Sequence, residues 1–295
     1  MIKRWGARLT GVVAAALIAP ALATAANAQA KPADPVDALH KQFVAGHGVK
    51  VSHHATLTRA GKPLMEEFTT GKLGFARSGI VSSDLTSRYH LSGAEFEGLE
   101  DLQMPVRQIG VGGKTYASGE TYKPYLPVGM SWVRYAGTPF ATQTALAPDA
   151  DLAQRRTYEG LLATAKVKKP GGVIDGTATT VYAGTITAAR LRELSPATKK
   201  RPGGLSETAT KVDWKLWLGR DLLPRRFSVT RVDHDKEFGE VKQVTTSNYS
   251  SWRAKVVITA PPAWEVVDAK DLPKEPFTLP DPTFAVLPDA AGDTQ

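Results

Sequence analysis

A two-residue alternation of apolar and polar side chains limits this chain to a structure built mainly from β-strands. Val49, Val51, His53, Ala55 and Leu57 alternate with polar residues between positions 49 and 58. Successive side chains of a strand point to opposite faces, so this segment would have one buried and one solvated face. Similar runs predict further strands at 65–73, 80–91, 106–111, 114–117, 132–135, 173–186, 212–218, 227–232 and 241–249.

Three short segments show helix signals instead. Asp34-Pro35 has the form of an N-cap followed by proline at the first helical position, and it predicts a helix to about residue 45. A second helix is predicted at 151–165, capped by Asp149 or Asp151, and a third after Thr187. Many antiparallel strands, few helices and no alternation of strand and helix predict an α+β fold: a single large curved antiparallel sheet, an incomplete β-barrel, wrapped over a few helices.

The first thirty residues have the pattern of a cleavable export signal. Lys3, Arg4 and Arg8 precede an apolar stretch, and a cleavage site of the Ala-x-Ala type ends at Ala30. The apolar stretch is too short and too rich in alanine to span a bilayer of about 30 Å comfortably. We therefore predict a secreted or extracytoplasmic protein, with residues 31–34 as a linker, 35–265 as one domain and 266–295 as a proline-rich, disordered tail.

Net charge and amino-acid composition restrict the kinds of molecule that the protein can bind. Without the signal, 34 basic and 29 acidic residues remain, a net charge of +5. This weak positive charge allows contact with an anionic envelope surface, whereas nucleic-acid binding would need clustered basic residues with interleaved aromatics. The chain has no cysteine, which excludes thiol catalysis and a lipid anchor attached to a cysteine. No later segment is long and apolar enough for a transmembrane helix.

Candidate metal sites do not have the required spacing. His53 and His54 are neighbours on a predicted strand, so their side chains point to opposite faces and cannot share one metal ion. Asp233, Asp235 and Glu237 alternate like the start of a calcium loop. However, Phe238 stands where that loop requires glycine. A charged hairpin turn is the better interpretation, and we predict no metal and no cofactor.

Catalytic patterns are equally weak. The chain has no Gly-x-Ser-x-Gly elbow, and the glycine-rich segment at 110–115 fits neither phosphate-binding fingerprint. Glu95, Glu97, Glu100 and Asp101 could supply paired carboxylates, but nothing fixes their separation. We predict that the protein is not an enzyme, and a hydrolase of unrecognised geometry is the less favoured alternative.

The C-terminal third resembles a known family. A tryptophan-containing strand passes through a turn into a Leu-Pro-Arg segment, Asp213-Trp214-Lys215-Leu216-Trp217-Leu218-Gly219-Arg220-Asp221-Leu222-Leu223-Pro224-Arg225. Further similarities, in the same chain order, are at 127–133, 182–186, 249–252 and 256–262. These segments resemble the LolA-like actinobacterial exported lipoproteins of the LppX and LprG group, which share the lipoprotein-carrier fold. The family usually carries a lipidated cysteine after its signal peptide, and this chain has none.

The resemblance implies a fold whose concave face covers helices and can enclose acyl chains. We therefore expect an exported, non-enzymatic carrier or receptor for lipids or other apolar molecules at the cell envelope. A protein-interaction module or envelope sensor on the same fold is the alternative. Strand alternation gives the candidate ligand-binding residues on the interior face: Val51, His53, Ala55, Leu57, Trp214, Leu216, Phe227 and Val229. Periodicity cannot distinguish a ligand cavity from a filled core at these positions.

Overall fold

A computed structural model of the chain describes residues 34–93, 100–136, 145–195, 211–235 and 239–272. The predicted signal segment and all but the last residue of the predicted linker lie outside the described residues. The tail from residue 273 onward lies outside them as well.

One sheet contains all twelve strands of the described residues, in the order β12-β6-β5-β4-β3-β2-β1-β11-β10-β9-β8-β7. Every neighbouring pair is antiparallel except β12 and β6, which are parallel. The strands are β1 (His47–Arg59), β2 (Lys62–Ala76), β3 (Gly79–Leu91), β4 (Val106–Val111), β5 (Lys114–Gly119), β6 (Trp132–Ala136), β7 (Ala165–Ile174), β8 (Thr177–Thr187), β9 (Lys211–Gly219), β10 (Pro224–Asp235), β11 (Gly239–Lys255) and β12 (Val266–Asp268).

Three α-helices of the described residues lie against one face of this sheet: α1 (Pro35–His40), α2 (Arg155–Ala163) and α3 (Ala188–Leu194). Short 3-10 turns occur at Glu100–Gln103, Glu120–Tyr125, Ala263–Glu265 and Ala269–Asp271. None of these helices is long and apolar enough to cross a membrane.

The helix caps agree with two of the three sequence predictions. Asp34 Oδ1 accepts a hydrogen bond from the Val36 amide at 2.8 Å, and Thr187 Oγ1 accepts one from the Arg190 amide at 3.2 Å. The second helix begins later than predicted, with Gln154 as its N-cap. Asp151 instead accepts from the Ala153 amide and closes the turn before the helix.

The predicted fold class is confirmed, because the sheet is large, curved and open and its interior face packs against the helices. The interior face carries the positions Val49, Val51 and Leu73, all less than 5 % exposed, while Lys50, Ser52 and Lys72 lie on the other face and are exposed or partly buried. Buried residues of the sheet and of all three helices form one continuous apolar core. The two-residue period therefore identifies the side of the sheet that is buried.

The strand predicted at 173–186 is wrong in its boundaries, because a tight hairpin interrupts it. Asp175 and Gly176 have φ values of +48° and +68°, which fits the two-residue Asp-Gly turn of a β-hairpin. The turn connects β7 to β8 and makes β7 an edge strand. Its five consecutive exposed positions from Lys166 to Pro170 include three lysines and a proline, a composition that protects a free sheet edge from pairing with other chains.

The folded region extends past the predicted domain boundary at residue 265. β12 pairs with β6, and Arg134 donates two hydrogen bonds to the Asp268 carboxylate, both at 2.6 Å. A three-residue strand has too little periodicity to be recognised in the sequence, and its position depends on the partner strand. The predicted tail therefore contains at least one element of the sheet.

Two tryptophans on β9 provide a direct test of which face is the core. Trp214 is 1 % exposed and donates from Nε1 to Thr164 Oγ1 at 3.0 Å, whereas Trp217 faces the other side and is only partly buried. We expect Trp214→Ala to lower the free energy of unfolding by about 3–5 kcal/mol. Trp217→Ala should cost less than half of that, as measured by urea denaturation. Equal losses would contradict the assignment of faces.

Candidate functional site

The structure places all eight predicted ligand-binding residues on the interior face. Seven are buried, with exposed fractions of 1–7 %, and Leu57 is partly buried. Five belong to the main apolar core: Val51, Trp214, Leu216, Phe227 and Val229. Their burial is established, while contact with a ligand stays a prediction.

These residues are not one contiguous patch. Trp214 lies directly opposite Val229, and Leu216 lies opposite Phe227, in the register between β9 and β10. Leu57 belongs instead to a separate small cluster with Leu64. The structure therefore brings the β9–β10 residues together and places the far end of β1 outside that group.

A layer of helices and one irregular segment covers the interior face. We call this layer the cover, consisting of residues 34–45, 145–164 and 188–195. Residues 145–152 contribute five side chains to the core without forming a helix: Ala145, Leu146, Ala147, Ala150 and Leu152. These small and branched side chains occupy the space where a ligand was predicted.

Side chains of the sheet form hydrogen bonds to backbone carbonyl groups of the cover and, through Trp214, to the hydroxyl group of Thr164. His53 Nε2 lies 2.9 Å from the carbonyl oxygen of Ala145, and Tyr249 Oη donates to the carbonyl oxygen of Leu146 at 2.7 Å. A carbonyl oxygen only accepts, so Nε2 must carry the proton of the His53 ring. The other ring nitrogen, Nδ1, can then accept from Ser247 Oγ, which lies at 2.8 Å. These contacts connect β1 to Ala145 and β11 to Leu146, two adjacent residues of the cover.

A row of buried polar side chains crosses the interior face beside the apolar core. Ser247, His53, Thr69 and Ser87 are direct neighbours in register on β11, β1, β2 and β3, and each is at most 7 % exposed. Thr69 Oγ1 and Ser87 Oγ share a hydrogen bond of 2.6 Å. We call these four residues the interior polar row. Sequence reasoning found only His53, although hydroxyl side chains at inward positions of three predicted strands were an available signal.

One further polar group lies inside the apolar core. The Tyr158 hydroxyl is completely buried and has no hydrogen-bond partner within the described part of the chain. Burial raises the pKa of Tyr158 well above its ordinary value, so the hydroxyl stays a neutral donor. A buried donor without an acceptor is rare, because it loses the hydrogen bonds that water would provide.

The two neighbouring histidines separate as the strand period predicts. His54 lies on the outer face, where its ring stacks on Phe68 with a centroid distance of 4.4 Å and its Nε2 lies 3.1 Å from Glu66 Oε1. His53 and His54 therefore cannot bind a common metal ion. Within the described residues, no group of three or more potential metal ligands comes together.

The remaining candidates lie in turns, at strand ends or outside the described residues. Glu95 and Glu97 lie outside the described residues. The first part of the acidic segment at 233–237 is not a turn, because Asp233–Asp235 form the end of β10 and pair with β11, and residues 236–238 lie outside the described part. Gly112 and Gly113 form the turn between β4 and β5, in agreement with the interpretation of that segment as a β-turn.

Two clefts lined by described residues open on the outer face of the sheet. The larger has a volume of about 910 Å³ and the smaller about 630 Å³. The larger is lined by outward-facing polar residues of β1, β2 and β3 and by the turn between β7 and β8. An open space of this kind on the outer face was not predicted.

The comparisons with known proteins give distant structural neighbours. No protein-family model matches the chain, and no curated protein matches it at a significant level. A crystal structure of a LolA superfamily protein from Nitrosomonas europaea is 10 % identical, with 76 % of this chain and 93 % of that chain covered and a TM-score of 0.23. An outer membrane lipoprotein-sorting protein domain from Vibrio parahaemolyticus is also 10 % identical, with 73 % and 89 % covered and a TM-score of 0.24.

A third structure, of lipovitellin and its lipid–protein interactions, is 11 % identical, with 75 % of this chain and 26 % of that chain covered and a TM-score of 0.27. The TM-scores are all below 0.3, and the function must be inferred from the geometry of the chain itself. An actinobacterial origin stays a prediction.

Asp151 makes the stability of the cover dependent on pH. Burial raises the pKa of Asp151 from 3.8 to about 6, against the opposing effect of hydrogen bonds from Ala153 and Gln154. The folded state thus favours the protonated acid, and the associated stability is present below pH 3.8 and lost as the pH rises through 6. The contribution of Asp151 to the free energy of unfolding falls by roughly 3 kcal/mol between these two pH values.

We expect Asp151→Asn to remove this contribution, since asparagine is neutral at every pH and keeps the side-chain oxygen that accepts from Ala153. The free energy of unfolding of the variant minus that of the natural chain should rise from pH 4 to pH 7 by up to about 3 kcal/mol. Denaturant titrations at both pH values measure this difference. A difference that does not change with pH would show that Asp151 is not buried as described.

Proposed function

We propose that the protein is an exported, non-enzymatic carrier or receptor that binds an apolar molecule, such as a lipid, between the interior face of the sheet and the cover. The observation that carries the proposal is the construction of this interior. The apolar part of the interior face, bordered by the interior polar row, is covered by three short helices and an irregular segment. The cover therefore consists of several short pieces and not of one long helix.

The contacts between these pieces and the sheet are weak enough for opening. The hydrogen bonds from His53, Tyr249 and Trp214 to the cover each stabilise the closed state by about 1 kcal/mol. Most of the remaining stabilisation is burial of apolar surface, which a bound apolar ligand would supply equally well. Each methylene group that leaves water contributes about 0.8 kcal/mol, so a ligand with ten such groups would offset the loss of all three hydrogen bonds.

The polar groups of the interior would orient the ligand. Ligand sites are commonly apolar with a few positioned polar groups, and the interior polar row provides hydroxyl and imidazole groups at one margin of the core. The unpaired Tyr158 hydroxyl is a further donor inside the core. A lipid with one oxygen-containing end and an apolar chain matches this arrangement, and binding it requires no bond to be made or broken.

We expect saturable binding of the fluorescent fatty acid cis-parinaric acid at about one equivalent per chain. Excess oleate should displace the probe, because it would compete for the same apolar interior, whereas butyrate is too short to do so. Fluorescence titration measures both results. A full chain that shows no saturable binding of the probe at micromolar concentrations would contradict the proposed function.

Variants of His53 and His54 form a matched pair that tests whether the cover opens when a ligand enters. His53→Phe keeps a ring of similar size but removes the contacts of both ring nitrogens, including the one to the Ala145 carbonyl. We expect the opening of the cover to cost about 1 kcal/mol less, so that probe uptake in stopped-flow experiments becomes about fivefold faster. His54→Phe, on the outer face, should leave the rate unchanged. Equal rates for both variants would show that the probe does not enter beneath this segment.

A further inference from the structure

A second polar row lies on the outer face, along the floor of the larger cleft. Arg226, Asn248, Ser52, Thr70, Thr86 and Arg107 are successive neighbours in register across β10, β11, β1, β2, β3 and β4. All six line the cleft of about 910 Å³. With strands about 4.8 Å apart, the row is about 24 Å long. It has an arginine at each end and hydroxyl and amide side chains between them.

Positive charge dominates this cleft. Its lining includes the cations Lys50, Lys72, Arg107, Arg225 and Arg226 and the acids Asp84 and Asp175. Asp84 is already paired with Arg107, through hydrogen bonds of 2.9 and 3.1 Å, and it lies 3.8 Å from Lys72 Nζ. Asp221, outside the cleft, pairs with Arg225 at 2.7 Å. The local acids therefore leave an excess of positive charge in the cleft.

Two of the cations are available to a ligand. Lys50 makes no ion pair with the residues that the structure describes. Arg226 uses Nε to donate to Asn248 Oδ1 at 2.8 Å, and its guanidinium group lies 5.7 Å from the centre of the Trp217 ring. Neither contact neutralises the charge of Arg226, and both hold the guanidinium group in place. No acid among the described residues pairs with its remaining donors. A positioned arginine is well suited to binding carboxylate or phosphate oxygens.

We propose that this cleft binds an acidic oligosaccharide, an extended ligand that presents hydroxyl groups along its length together with carboxylate groups. The hydroxyl and amide side chains of the floor match sugar hydroxyls, and the cations match the carboxylates. A length of about 24 Å exceeds the size of a single phosphate or lipid headgroup. The site lies on the face opposite the apolar interior and does not rest on the proposed binding of an apolar molecule.

The position of the cleft in the sheet argues against an acidic peptide. Peptides that bind to sheets usually add a strand at a free edge, where backbone groups are unpaired. The cleft instead crosses the middle of the sheet, where the strands β10, β11, β1, β2 and β3 have neighbours on both sides. Only side chains are available there, and these recognise hydroxyl and acidic groups.

The test uses hexagalacturonic acid as the probe and the full chain in low-salt buffer, with binding measured by isothermal titration calorimetry. We expect saturable binding that weakens as sodium chloride is raised, because exposed charges are screened. Neutral maltohexaose should bind at least tenfold more weakly, since it lacks the charge-assisted contacts. Equal binding of the neutral and acidic sugars would overturn the proposal.

The variant Lys50→Gln/Arg226→Gln should weaken binding of hexagalacturonic acid by about tenfold or more, which is the loss expected for one or two charge-assisted contacts. Lys215→Gln is the matched control, since Lys215 lies on the same outer face of β9 but does not line the cleft. It should bind like the natural chain. Circular dichroism and thermal unfolding establish that each variant is folded, and a folded double variant with unchanged affinity would contradict the assignment.

Two further ligands distinguish recognition of an acidic sugar from recognition of free phosphate or of a lipid headgroup. Inorganic phosphate should not compete with hexagalacturonic acid at equal concentration, and phosphatidylglycerol vesicles should bind no better than vesicles of phosphatidylcholine. If the vesicles bind through Lys50 and Arg226 and the sugar does not, the cleft recognises a lipid headgroup and the proposal is wrong. Displacement of the probe by cis-parinaric acid would also contradict a site on the opposite face.

Discussion

The antiparallel pairing of β1 with β11 holds the sheet together, and both faces depend on its register. Six strands follow on the β1 side of this pair and four on the β11 side. The pairing joins residues far apart in the chain, such as His53 and Ser247, which are 194 positions apart. A shift of one residue would turn every side chain of one half to the opposite face. The apolar interior and the charged outer cleft would then both be lost.

This register determines which side chains lie on each face, so the two faces differ in chemistry. Inward positions near β9 and β10 are large and apolar, and those of β11, β1, β2 and β3 include the interior polar row. Outward positions of the same strands carry the cations and hydroxyl groups of the cleft. One sheet can therefore present an apolar surface to its cover and an electropositive surface to solvent. Adjacent residues such as His53 and His54 belong to different environments for this reason alone.

Much of the fold could be predicted from the sequence, because strand alternation is a local property. It identified the inward face correctly at Val51 and His53 and at the paired positions Trp214 and Val229. It failed at two elements. The hairpin at Asp175-Gly176 was missed although Asp-Gly is a local turn signal, and β12 was missed because three residues carry too little signal.

The candidate sites were predictable to different degrees. The apolar interior follows from residue types on single strands, so its members could be named in advance. The cover segment at 145–152 could not be placed, since its small apolar residues have no regular period and its position is set by contacts with His53 and Tyr249. The polar row on the outer face could not be predicted, because it depends on the register of six strands that come from different parts of the sequence.

The central claim is that an apolar ligand lies against the interior face, and photoaffinity labelling with a diazirine-bearing fatty acid tests it most directly. The label should appear on inward residues, such as Val51, Trp214 and Phe227, or on the cover at 145–152, and excess oleate should suppress it. Labelling confined to outward residues, such as Trp217 and Phe68, or labelling that oleate does not reduce, would contradict the account.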